Sequence, residues 1–166
     1  MARLAVCIEK GMENGMRSAR QTDTAGFMPT GGQLTPSRGC ILVVDDNAGI
    51  RRLLVRLLHA HSFTPLEAST IADAVASADQ HEVRAVILDL QLGTQSGLEL
   101  LERLRRDPRY VQTPILILTG ASSITDEHEA LIKSSGAQLF HKPISLALLV
   151  ERLLDLTSAS QEVAFA

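Results

Sequence analysis

The sequence predicts an α/β fold, a parallel sheet with helices on both faces. Two observations predict it. Short apolar runs and helical stripes alternate five times from Cys40 onward. The runs are also too short for helices yet unbroken by polar residues, as expected of strands buried on both sides.

The elements follow in order. Cys40–Val44 is the first apolar run and ends at Asp45-Asp46-Asn47. Ile50, Leu53, Leu54, Leu57 and Leu58 then recur at i, i+3, i+4, i+7 and i+8, one stripe of a helix. Residues 63–67 form a weaker strand. Thr70 and Asp73, three apart, resemble a capping box opening a second helix. Val83–Leu88 is the next run and ends at Asp89. Leu98, Leu101 and Leu104 mark a third helix, closed by Asp107-Pro108 because the residue before proline avoids helical geometry. Residues 115–118 form a strand ending in Thr119-Gly120. A helix follows over 125–134, with Gly136 as its stop. Gln138–His141 is a short last strand, and Leu146, Leu149, Val150, Leu153 and Leu154 form a final stripe.

Composition narrows the function classes. Hydrophobic residues make up 45% and aromatics 3%, with no Trp, so the core is aliphatic. The net charge of −3 argues against nucleic-acid binding through the bulk field. Residues 1–38 carry five basic and three acidic side chains, hence +2; the remainder carries eleven and sixteen, hence −5. This first segment, with five glycines and two prolines and no lasting period, is expected to be a disordered N-terminal extension. A docking or targeting arm, or a start at Met12, Met16 or Met28, stays open. Cys7 and Cys40 form no metal-binding or disulfide pattern, which fits a reducing, cytoplasmic setting. No stretch is long enough to span a membrane, and the apolar run at 4–8 is too short for a signal peptide.

Open parallel sheets bind ligands at the carboxyl ends of their strands. Those ends carry Asp45 and Asp46, then Asp89, then Thr119, then Lys142. Taken singly, an Asp there is usually a turn former or a helix cap, and Asp46 could cap the first helix. Taken together, three carboxylates on one rim repel unless a cation joins them. Oxygen ligands with open positions suit Mg2+, which keeps waters and accepts phosphate oxygens. An Asp carboxylate can attack phosphorus without a general base. Lys142 and the metal would neutralise charge on the phosphoryl oxygens, and Thr119 offers a hydroxyl donor.

From about Cys40 to Ser158 the chain resembles the receiver domain of bacterial two-component response regulators, of the stand-alone chemotaxis-regulator type. The resemblance rests on Ile41-Leu-Val-Val-Asp-Asp-Asn, on Val86-Ile-Leu-Asp-Leu-Gln-Leu with Gly97 eight residues past Asp89, on Thr119 thirty residues past Asp89, and on Lys142-Pro143. It implies a doubly wound, flavodoxin-like sheet in the order 2-1-3-4-5 within three α/β/α layers, the receiver filling 39–158 and a tail filling 159–166. It implies that Asp89 is the phosphoacceptor and that Mg2+ is held by Asp45, Asp46, Asp89 and the backbone carbonyl of Gln91. Thr119 and Lys142 would act on the phosphoryl group, and Lys142-Pro143 would be cis.

Three departures from the family pattern stand out. Gly93 occupies a place where the family often has Pro, so the loop after Asp89 is expected to be more mobile. The family's switch aromatic lies three residues before the Lys; here that residue is Leu139, and Phe140 is two before. The loop at 122–127 is also a little long.

The resemblance implies a signalling module phosphorylated by a histidine kinase or a histidine phosphotransfer protein. It implies no enzymatic activity beyond the domain's own phosphorylation and dephosphorylation. No output domain is seen after Leu156, so output is expected through another protein, without nucleic acid or membrane. The last two helices are the faces open to a homodimer, and Leu148 lies off the final stripe. A phosphohydrolase of haloacid-dehalogenase type fits less well, since it would want Asp-x-Asp and a cap insertion. A docking module indifferent to phosphate, or a phosphate sink, is the remaining alternative.

Overall fold

The computed structural model describes residues 37–120 and 124–162, with side chains through residue 158. The extension expected over 1–38 lies almost entirely outside the described residues, as do part of the 122–127 loop and the end of the tail. The elements run β1 (Cys40–Val44), α1 (Ala48–Ala60), β2 (Thr64–Ala68), α2 (Ile71–Gln80), β3 (Val83–Leu88), β4 (Gln91–Leu92), β5 (Gln95–Ser96), α3 (Gly97–Arg106), β6 (Ile115–Thr119), α4 (Asp126–Ser134), β7 (Gln138–His141) and α5 (Leu146–Glu162). Helix α5 therefore continues past Ser158, where the sequence placed the end of the domain.

Five strands form one parallel sheet in the order β2-β1-β3-β6-β7. Set aside the short β4–β5 pair and this is the expected 2-1-3-4-5 order. The strands are buried because both faces are covered. Ile41, Val43, Ala85, Ile87, Leu116 and Leu118 pack with Leu54 and Leu58 of α1 and Leu149 and Leu153 of α5. Leu42, Val44, Val86, Leu88, Ile115 and Ile117 pack with α2, α3 and Ile132 of α4. Alternate residues of each strand thus feed opposite layers.

Helix starts follow their caps. Thr70 Oγ1 accepts from the Asp73 amide, while Asp73 takes the Ser69 hydroxyl rather than closing the box. Thr125 caps α4, whose first turn holds Asp126, Glu127 and Glu129, favourably placed against the helix dipole. Two stripe residues face the other way from expectation. Leu53 is 42% exposed and Leu146 is 37% exposed, because each sits at the edge of an arc wider than the buried seam. Leu148, read as lying off the stripe, is exposed.

Arg105 ties α3 to the end of α4 and to the segment before β6 on one face of the sheet. Its Nε donates to Ser135 O at 2.7 Å, and its Nη1 donates to Tyr110 O and Thr113 O at 2.8 and 2.9 Å. Burial holds its pKa below the ordinary arginine value. Replacing Arg105 with Met removes the side-chain donor from three carbonyls, of which Tyr110 O keeps the Thr113 amide. Chemical denaturation should show a loss of about 2 kcal/mol; an unchanged midpoint would mean water replaces the clamp.

Candidate functional site

Strands β1, β3, β6 and β7 end on one rim, and the sheet order sets which ends adjoin. Asp45 follows β1 and Asp89 follows the neighbouring β3, where the Asp89 amide donates to Val44 O at 2.8 Å. Lys142 follows β7, its amide donating to Thr119 O at 2.8 Å. The cis Lys142-Pro143 bond is present.

The side chains converge. Lys142 Nζ donates to Asp89 Oδ2 at 2.7 Å and to Asp45 Oδ2 at 2.8 Å. Asp45 and Asp89 are buried, whereas Asp46 is exposed. Each carboxylate is also held by one backbone amide. Asn47 N donates to Asp45 Oδ1 at 2.8 Å, Gln91 N to Asp89 Oδ1 at 3.1 Å, and Gly93 N to Asp46 Oδ2 at 3.1 Å. A carboxylate oxygen from each of the three acids lies within 4.8 Å of the others. An all-oxygen donor set of this spacing, open to solvent on the Asp46 side, fits a hard divalent cation such as Mg2+.

Electrostatics agree with this arrangement. Burial works against the Lys142 ammonium, but the hydrogen bonds to Asp45 and Asp89 and their charges outweigh it, so its pKa stands above the ordinary value. The site thus keeps a fixed positive charge between two acids across the physiological range.

The structure brings Asp45, Asp46, Asp89 and Lys142 into one cluster. Thr119 is at the same rim, fully buried at the end of β6. Gln91 reaches Asp89 through its amide. Three contributors were not singled out from sequence. Asn47, rather than Asp46, caps α1, its Oδ1 accepting from Gly49 N and Ile50 N. That leaves Asp46 for the cluster; Asn directly before a periodic helix is a cap signal. Arg51 Nη1 donates to Asp45 O at 2.7 Å and Asp46 O at 3.1 Å, pinning the acidic loop from beneath. Its only sequence signal is a charge on the half-buried side of α1. The third is the Gly93 amide. The segment after Asp89, read from sequence as a loop, pairs as a short two-stranded hairpin.

Gly97 is required by close approach: a Cβ there would lie 2.2 Å from Asp89 O. The aromatic question also resolves. Leu139 pairs with Ile117 and His141 with Thr119, with no slip in β7. Leu139 packs toward α4 and Phe140 toward α5, so the position three before Lys142 holds a leucine.

Replacing Lys142 with Met should lower the unfolding free energy in EDTA by about 1–3 kcal/mol, since two close carboxylates lose their counter-charge. The folded pKa is raised, so this contribution is full below the ordinary value of 10.5 and fades as pH climbs through the folded value. Denaturation at several pH values should show a wild-type advantage that is flat near neutrality. Mg2+ should recover more stability in the variant than in wild type.

Comparison with known proteins agrees with this geometry. Residues 41–154 match the family model described as response regulator receiver domain. The acid tolerance regulatory protein ActR of Sinorhizobium medicae is 31% identical over 116 residues, covering 68% of this chain and 58% of the relative. The transcriptional regulatory protein SrrA of Staphylococcus aureus is 34% identical over 121 residues, covering 73% and 48%. The chain therefore spans about half the length of the curated relatives it matches. Among solved structures, the chemotaxis response regulator CheY4 of Vibrio cholerae superposes with a TM-score of 0.63 at 27% identity, covering 74% of this chain and 99% of that one. A CheY-like receiver domain protein of Methanospirillum hungatei reaches 0.68 at 21% identity, covering 77% and 98%, a likeness of fold. With sheet order, acidic cluster and family model in agreement, the chain belongs to the response regulator receiver domain family of two-component systems.

Proposed function

We propose that this receiver accepts a phosphoryl group on Asp89 from a histidine kinase or a histidine phosphotransfer protein and signals by phosphorylation-dependent binding to another protein. The observation that carries the reading is the Lys142 ammonium, 2.7 Å from Asp89 and 2.8 Å from Asp45, with Asp46 completing the cluster. A positive charge already stands where phosphoryl charge will build.

In the transfer, an Asp89 carboxylate oxygen forms a bond to phosphorus while the P–N bond of the phosphohistidine breaks, and the imidazole leaves with the electron pair. Lys142 pairs with the phosphoryl oxygens. Thr119 donates its hydroxyl to the same oxygens. Asp45, Asp46, Asp89 and the Gln91 carbonyl would hold Mg2+, which when bound neutralises charge and orients the incoming group. The acyl phosphate carries close to two negative charges where the Asp89 carboxylate carried one, at a rim built from β3, β6 and β7. That suffices to bias a two-state face formed by α4, β7 and α5. Water attack at phosphorus breaks the O–P bond of the acyl phosphate, releases inorganic phosphate and returns the Asp89 carboxylate, so the domain resets itself.

The regulatory activities of the longer relatives are not carried over; the shared module is. A second reading, a docking module indifferent to phosphate, or a phosphate sink, is favoured by Leu139. A leucine cannot supply the switch aromatic that the family pattern couples to Thr119.

Incubation with acetyl phosphate and Mg2+, read by intact mass, should add one phosphoryl group to wild type. It should add none to Asp89→Asn or in EDTA. A wild type that stays unmodified while folded would refute phosphoacceptance and leave the docking reading.

A further inference from the structure

We propose that the backbone amide of Gly93 is a positioning group for the cation site, holding Asp46 in the orientation from which it binds Mg2+. The inference rests on the cation reading above and deepens it. Asp46 is the member of the acidic cluster with least support. It is exposed, whereas Asp45 and Asp89 are buried and share the Lys142 ammonium. No contact of its carboxylate with Lys142 is seen among the described residues. Its side-chain anchor there is the Gly93 N–H, 3.1 Å from Oδ2. One oxygen is thereby held and the other left for a ligand.

The hairpin is shaped to deliver this amide. Gln91 pairs with Ser96 and Leu92 with Gln95, and Leu92 is buried, so the pair is rooted in the core below. Its root is tied again where Gly97 N donates to Leu90 O at 2.8 Å. Gly93 begins the turn at φ +60, a left-handed conformation that glycine adopts without strain. Proline cannot reach that φ and has no N–H to donate. Asn keeps the N–H and tolerates the left-handed region better than other side chains. A Cβ at Gly93 meets nothing within 4 Å, so an Asn side chain has room. The amide is therefore separable from the bulk of the residue by substitution.

A group that orients a metal ligand typically governs affinity by about 10–100-fold. An exposed, single amide belongs at the lower end, so Gly93→Pro should weaken Mg2+ binding about tenfold. Gly93→Asn should bind within about twofold of wild type.

The test is calorimetric Mg2+ titration of the full chain as wild type, Gly93→Pro and Gly93→Asn, with amide proton NMR of the Gly93 resonance in wild type and Asp46→Asn. The proposal expects the Pro variant alone to lose affinity, and the Gly93 amide to move upfield when Asp46 is neutralised. A Pro variant that binds as tightly as wild type overturns the proposal while leaving the cation site intact. An Asn variant as weak as the Pro variant overturns it as well, since a side chain at this position, with the amide kept, would then be enough to cause the loss. A wild type that binds no Mg2+ overturns the cation reading and this inference together.

Discussion

Three carboxylates held within 4.8 Å of one another set the problem that the rim of this domain solves. Two like unit charges about 4 Å apart repel by about 4 kcal/mol at the effective dielectric of a protein surface. A small domain has only about 5–15 kcal/mol of stability to oppose that. The Lys142 ammonium is the main counterweight. It bridges Asp45 and Asp89, which lie 97 and 53 residues before it in sequence. Asn47, Gln91 and Gly93 each add an amide, and Arg51 fixes the loop backbone below. Parallel strand order makes this possible: it brings every strand end to one rim, where the Lys142 side chain reaches from the end of β7 past the end of β6 to Asp89 after β3 and Asp45 after β1. The fold and the site are thus one constraint: a β7 end that drifted from β3 would leave Asp45 and Asp89 uncompensated.

The same rim connects through β7 to the α4–β7–α5 face proposed for signalling. Lys142 is tied to Thr119 by a backbone hydrogen bond, and Thr119 pairs in register with His141. Leu139 on one side of β7 meets α4, and Phe140 on the other meets α5. A change of charge at Asp89 can therefore reach both helices through one short strand. What differs from the family pattern is the handle: apolar packing of Leu139 stands where a switch aromatic is usual. Ile132 is the buried residue of α4 in the cluster that Leu139 packs against.

Much of this was legible in the sequence because buried elements leave strong patterns. β1 and β3, covered on both faces, read as unbroken apolar runs and were bounded without error. Edge strand β2 is half buried, and its bounds came out one residue early. Helical stripes located α1 and α5 but overstated their buried arcs, as Leu53 and Leu146 show. Strands β4 and β5 have two residues each, too few for any period, so the hairpin was invisible. The site acids and Lys142 were legible because strand ends are. The amides of Asn47, Gln91 and Gly93 were not, since a backbone donor carries no residue signature. Register alone decided between Leu139 and Phe140, and register is a property of pairing rather than of sequence.

In the reading proposed above, the Asp89 carboxylate, with Lys142 and a divalent cation, forms a pocket for a phosphoryl group. Beryllofluoride, which binds a carboxylate in the shape of a phosphoryl group, reports on that pocket without a kinase. Fluorine NMR of the protein with beryllofluoride and Mg2+ should show bound resonances that vanish in EDTA and in Asp89→Asn. Bound resonances that persist in Asp89→Asn, or none in a folded wild type with Mg2+, would contradict the account.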